Sequence, residues 1–126
     1  MGVLDAFRRS RTAKQVAGDA AEDRALHFLE QQGMTPIARN FRCKGGEIDL
    51  VMRHRDTLVF VEVRKRGTAR FGGAAASVTA RKQARLVIAA QVFLQRYKIP
   101  PPCRFDVIAI EGERINWLQN AIEAGT

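Results

Sequence analysis

The chain has 126 residues, 46% of them hydrophobic, with 21 Lys and Arg against 13 Asp and Glu, a net charge of +8 and a pI of about 10.5. That length suits one domain, able to bury about two-thirds of its surface, so neither a disulfide framework nor a structural metal is needed for folding. No stretch approaches about 20 consecutive apolar residues, which excludes a membrane-spanning helix, and the basic excess points towards nucleic acid or another anionic surface.

The charge is uneven. Six basic and two acidic residues fall between Arg53 and Arg70, and five basic residues with no acid between Val78 and Lys98. Cys43 and Cys103 are too far apart in sequence for a Cys-x-x-Cys motif. Two free thiols in a reducing cytoplasm are therefore expected. Met1 to Ala17 carries Arg8, Arg9, Arg11 and Lys14 without an apolar segment of signal-peptide type. It reads as a basic N-terminal arm or a frayed short helix, ahead of a single domain over residues 18–126.

Asp19-Ala20-Ala21-Glu22 fits a capping box, with Asp19 as N-cap, and predicts a helix to about Gln32 that stops at Gly33. At 100° per residue, Ala21, Ala25, Leu26, Phe28 and Leu29 form its buried stripe. Glu22 falls inside the stripe. It either caps its helix or turns its carboxylate towards the sheet. Thr35 to Phe41 reads as an edge strand, with Pro36 near its start, and Arg42 to Gly45 as a turn.

Gly46 to Arg66 reads GEIDLVMRHRDTLVFVEVRKR, two alternating runs about a polar break at Arg55-Asp56, which is the pattern of a β-hairpin. A two-residue turn pairs His54 with Thr57, and the same register sets Asp49 opposite Glu62 and Glu47 opposite Arg64. Directly opposed residues share a face with Cβ atoms about 5 Å apart, where like charges repel. A divalent cation between Asp49 and Glu62 would turn that repulsion into binding, and magnesium and manganese prefer carboxylate oxygen. Strict alternation puts Glu47, Asp49 and Val51 on one face and Ile48, Leu50 and Met52 on the other. Both faces are apolar over much of their length, so layers should cover both sides of the sheet.

Gly67 to Ser77 is a Gly-rich loop without a phosphate-binding motif, of a length that suits a segment closing on a ligand. A second helix is expected from an N-cap at Thr79 to Tyr97 or Lys98, with Leu86, Ala90, Phe93, Leu94 and Tyr97 on its core face. As a crossover it would bring Lys82, Gln83 and its N-terminus towards Glu62 and Arg64. Arg81, Arg85 and Arg96 lie on a separate basic face, as solvated surface or as phosphate contacts. Arg104 to Ile110 should be a strand parallel to the Leu58–Lys65 run, and Arg114 to Leu118 a short last strand. Asp106 is either a polar group near the site or, as a strand-end acid, a partner of Arg104 or a loop.

The phrases GDAAE, RNFR, GGEIDLV, VFVEVRKR, FGGAAASVTARKQ and CRFDVIAI run in this order from about Gly18 to Ala121. Together they resemble the YraN family, small bacterial proteins with a restriction-endonuclease-like fold and a PD-(D/E)xK site. The resemblance implies an α/β, three-layer fold with a mixed sheet of about five strands: an antiparallel meander, a crossover helix and a further strand. It implies a metal-dependent nuclease of DNA or RNA, with Glu22, Asp49, Glu62 and Arg64 as catalytic positions and Mg²⁺ or Mn²⁺ at Asp49 and Glu62. Arg64, Lys65, Arg66, Arg81, Lys82 and Arg85 are the candidate nucleic-acid contacts. In one respect the chain departs from the motif: Arg64 stands where the pattern has Lys. Arginine stays protonated and cannot act as a base, though it can hold a phosphate. Alternation sends Lys65 to the opposite face, and Lys82 could supply an amine from the crossover helix. Two other readings stay open, a non-catalytic nucleic-acid-binding module on the same fold and a protein-interaction factor whose acids pair with Arg64 and Lys82.

Overall fold

The computed structural model describes the backbone of residues 13–66 and 78–122 and the side chains of residues 18–65 and 78–122. Most of the basic arm, the Gly-rich loop over 67–77 and the Arg66 side chain lie outside the described residues. Among the described residues two helices and five strands follow one another: α1 (Ala13–Gln31), β1 (Thr35–Cys43), β2 (Gly46–His54), β3 (Thr57–Arg66), α2 (Ala80–Leu94), β4 (Cys103–Glu111) and β5 (Arg114–Leu118).

Helix α1 is already formed at Ala13, six residues before the expected N-cap. The intervening Ala13-Lys14-Gln15-Val16-Ala17 is rich in good helix formers, and they carry the helix through Gly18. Asp19 and Glu22 are thus interior residues, and the capping box does not exist. The other end follows expectation. Gly33 takes φ +92°. Its N–H donates to the Glu30 carbonyl at 3.0 Å, and the Met34 N–H to the Leu29 carbonyl at 3.1 Å. This is a Schellman closure, with Met34 and Leu29 buried in the same cluster. Helix α2 has the expected N-cap: the Thr79 hydroxyl accepts from the Lys82 backbone N–H at 3.2 Å. It stops at Leu94, short of Tyr97. There the Arg96 Nε donates to the Phe93 carbonyl at 3.1 Å and its guanidinium lies 3.7 Å over the Phe93 ring, so a helix-end carbonyl is satisfied without another turn.

The strands form one mixed sheet in the order β1-β2-β3-β4-β5, antiparallel throughout except for the parallel β3–β4 pair that α2 joins. Its two faces are buried against different helices. Ala21, Ala25 and Leu29 of α1 pack with Leu50, Met52, Val59, Val61, Ile108 and Ile110. Leu86, Ala89, Ala90 and Phe93 of α2 pack with Val51, Leu58, Phe60, Phe105 and Val107 on the other side. This helix–sheet–helix layering is the restriction-endonuclease-like architecture. Among the described residues no helix is long and apolar enough to cross a membrane. Cys43 is half-buried and Cys103 exposed, and both are free thiols.

The hairpin has the two-residue turn, with His54 paired to Thr57, Arg55 at φ +61° and the ladder running to Leu50↔Val61. Strict alternation fails one residue further on. Arg39↔Leu50 is followed in the β1–β2 ladder by Phe41↔Ile48. Leu50 belongs to the α1 side of the core, but Ile48, two residues away, joins the α2 side with Phe41 packed beside it. Between them Asn40 takes φ +53°, a left-handed conformation that asparagine tolerates. Both strands change faces at the Asn40/Asp49 step, so Ile48 does not share a face with Leu50 and Met52.

The chain after β5 folds back on the sheet. It returns to the core: Ile122 is buried, and the Ala121 N–H donates to the Phe105 carbonyl at 2.8 Å. Asp106, fully buried, organises that return. Its carboxylate accepts from Arg104, from Trp117 Nε1 at 2.9 Å and from the Asn120 N–H at 2.8 Å. Asp106 is therefore a structural acid with a full set of donors, not part of the cleft described next.

Candidate active site

Where the sheet's face switches, a cleft of about 400 Å³ lies between the two helices among the described residues. Helix α1 contributes Gly18, Ala21 and Glu22. The start of β2 contributes Glu47 and Asp49, the end of β3 Glu62, Val63, Arg64 and Lys65, and the first turn of α2 Lys82. The sequence-predicted Glu22, Asp49, Glu62 and Arg64 are thus brought to one cleft. Lys65 lines it too, although alternation alone assigns it to the other face of β3. Arg81 and Arg85 do not line it. Arg81 is exposed on α2 and Arg85 half-buried.

Asp49 is the centre of the arrangement. Beyond the last ladder pair its Oδ2 accepts from the Val63 N–H at 2.8 Å, so a side chain takes a backbone donor of the neighbouring strand. Burial raises the Asp49 carboxyl to about 7, with the Glu62 charge adding to the rise and the Val63 hydrogen bond opposing it. Glu62 is raised as well, again chiefly by burial, while Lys82 and then Arg64 pull it down. Each carboxylate thus lies within the electrostatic reach of the other.

Glu22 resolves in favour of the cleft. Its side chain is 14% exposed, and its carboxyl is raised by burial and then by the Asp49 charge, with Arg39 opposing. Arg39 itself was not visible as a site residue in the sequence. From β1 it donates through Nε to Glu22 Oε1 at 3.2 Å, through Nη2 to the Asp19 carbonyl at 3.1 Å, and pairs through Nη1 with Asp23 at 2.6 Å. One guanidinium thereby straps α1 to the sheet and orients Glu22. Glu47 is the second residue that the sequence reading left without a role. It is more exposed, is paired with Arg42 at 3.8 Å, and its charge raises both Asp49 and Glu62.

Among the described residues no three Asp, Glu, His or Cys side chains are grouped as a ready-made ion cage. The donors present suit a different kind of site. Asp49 and Glu62 are two hard oxygen ligands that repel each other, which fits an ion of the magnesium type. Such an ion keeps several waters and is held by one or two carboxylates together with substrate phosphate. On the basic side of the cleft, the Arg64 Nε is buried with no hydrogen-bond partner among the described residues. An unsatisfied buried donor of this kind is costly, and an incoming acceptor would relieve it.

Comparison with known proteins assigns the chain's lineage. A UPF0102 protein of Herminiimonas arsenicoxydans is 65% identical over 118 residues, covering 94% of this chain and 95% of its own length. A UPF0102 protein of a Janthinobacterium strain is 64% identical over 121 residues, covering 96% and 98%. One from Cupriavidus taiwanensis is 58% identical over 113 residues, covering 89% and 86%. The profile of "Uncharacterised protein family UPF0102" matches residues 21–110. With the restriction-endonuclease-like fold and these relatives in agreement, the chain belongs to UPF0102, the YraN family.

Proposed function

We propose that the protein is a metal-dependent nuclease that hydrolyses phosphodiester bonds in DNA or RNA. The observation that carries this reading is the half-buried, mutually repelling pair Asp49 and Glu62 in a cleft that is also lined by Arg64, Lys65 and Lys82. The two carboxylates would hold Mg²⁺ or Mn²⁺. When bound, the ion offsets charge on the scissile phosphate and lowers the pKa of a coordinated water. The protein's own residues do the rest. Arg39 keeps Glu22 directed into the cleft as a third acid. Arg64, with its unpartnered Nε, clamps a phosphate oxygen. Lys65 in the cleft lining, with Arg81 and Arg85 outside that lining, guides the nucleic-acid backbone.

The test is cleavage. Purified protein is incubated with branched, single-stranded and duplex DNA, and with RNA, in Mg²⁺ or Mn²⁺. Metal-dependent cleavage should fall at least 100-fold in Asp49→Ala, in line with loss of a group that organises transition-state charge. Cleavage that survives unchanged in Asp49→Ala would refute the assignment. A second reading, a non-catalytic nucleic-acid-binding module, is favoured by Arg64 at the lysine position. It predicts salt-sensitive binding without cleavage, and little loss of affinity in Asp49→Ala.

A further inference from the structure

The acid-x-Lys motif places a compact cation on the second strand, where this chain has the planar, always-charged guanidinium of Arg64. A lysine reaches the cleft from another element. Lys82 lies in the first turn of α2, half-buried, and lines the cleft with Glu62 and Arg64. Two bonds fix the turn from which its side chain departs. The Thr79 hydroxyl accepts from the Lys82 N–H at 3.2 Å, and Gln83 Nε2 donates to the Val78 carbonyl at 2.9 Å. Further along the helix, Gly46 lets β2 close onto α2, since a Cβ there would clash with the Arg85 carbonyl oxygen. The helix is therefore seated tightly against the strand that leads to Asp49. The Arg64 Nε is buried without a hydrogen-bond partner among the described residues, which suits a group that binds an incoming acceptor.

We propose that Lys82, supplied by the crossover helix, is the cation that stabilises the reacting phosphate in this cleft, and that Arg64 serves as a binding clamp. The inference rests on the nuclease reading above. In the step concerned, a water oxygen forms a bond to phosphorus while the bond from phosphorus to the leaving sugar oxygen breaks. One water proton reaches the leaving oxygen through solvent, and the other stays on the new phosphate or passes to buffer. Lys82 remains an ammonium throughout. Charge builds on the non-bridging oxygens in the transition state, and a compact cation beside them stabilises that state more than the ground state. Such an interaction is read in kcat, whereas a clamp equally engaged in both states is read in KM.

The experiment separates the two roles in the full-length protein. Lys82→Met keeps the apolar stem and removes the charge. It should lower kcat about 100-fold and change KM less than about threefold, with Lys82→Arg recovering to within about tenfold of wild type. Arg64→Gln should instead raise KM about tenfold or more with a smaller loss in kcat. Recovery in Lys82→Arg also shows that the loss in Lys82→Met is one of charge and not of folding. Wild-type kcat in Lys82→Met, a loss confined to KM, or no recovery in a folded Lys82→Arg would overturn the assignment. Cleavage abolished by Asp49→Ala but untouched by Lys82→Met would overturn it alone and leave the nuclease reading standing. A wild-type protein that cleaves nothing would overturn both.

Discussion

The Asp49 carboxylate is half-buried at the end of a paired strand, lies beside a second acid, and receives one backbone donor among the described residues. Its carboxyl rises from an ordinary 3.8 to about 7. In the absence of a divalent cation this sets the sign of a pH effect. A raised folded-state value means that the folded protein keeps a proton the unfolded chain has lost. The stabilising contribution is complete below about pH 4, shrinks as pH rises, and is gone above about pH 7. Asp49→Asn removes the titration. Metal-free Asp49→Asn should be more stable than wild type at pH 8 by on the order of 1 kcal/mol, with the gap closing towards pH 4. Urea unfolding at the two pH values checks it, and a gap that widened on acidification would contradict the burial argument. At this scale the sequence was informative where a rule of spacing applied. The two-residue turn at Arg55-Asp56 was enough to set the hairpin register as far as Leu50↔Val61, beyond which Asp49 and Glu62 line one cleft without being a ladder pair, and helical phase was enough to put Glu22 on the inner stripe. It was silent about Arg39, whose three contacts with α1 exist only once β1 and α1 are packed together.

Elements place these residues with less latitude than their sequences suggest. The expected capping box at Asp19 gave way because a helix can run through a glycine when good formers precede it. The expected alternation in β2 gave way because one left-handed residue, Asn40 on the neighbouring strand, turned both strands over. That switch also keeps Ile48 in the α2 side of the core while Asp49, next to it, reaches the cleft. Periodicity carries no sign of it, since asparagine is common in ordinary strand ends and turns as well. The contact between Gly46 and α2 is a related constraint. A methyl group at Gly46 would clash with the Arg85 carbonyl oxygen and sit 2.8 Å from the Ala89 nitrogen and 3.0 Å from its Cβ, so the helix would have to move. Gly46→Ala should cost about 2 kcal/mol of stability, within the range for overpacking a close interface. Denaturant unfolding provides the measurement, and a wild-type midpoint would show that α2 has room the structure denies it.

At the scale of the whole molecule, two helical layers bury both faces of the sheet, and acids and cations meet in the cleft between the helices. A separate task, closing the fold, falls to Asp106 and the returning Ile122, which hold β4, β5 and the C-terminal turn together away from the cleft. Strand order, the parallel β3–β4 pair and the crossover were all legible from the alternation of hydrophobic periods with turn signals. The return of the last residues was not, because a lone Ile122 has no periodic neighbours to announce it. The chain carries a net charge of +8, and three of its cations, Arg64, Lys65 and Lys82, line the cleft with the acids. The most direct measurement is a Mn²⁺ titration, followed by the paramagnetic signal of the free ion, on wild type, Asp49→Asn and Glu62→Gln. Saturable binding by wild type that either substitution removes is the predicted result. No binding by wild type at millimolar Mn²⁺, or undiminished binding by Asp49→Asn, would contradict the metal-binding role of the pair.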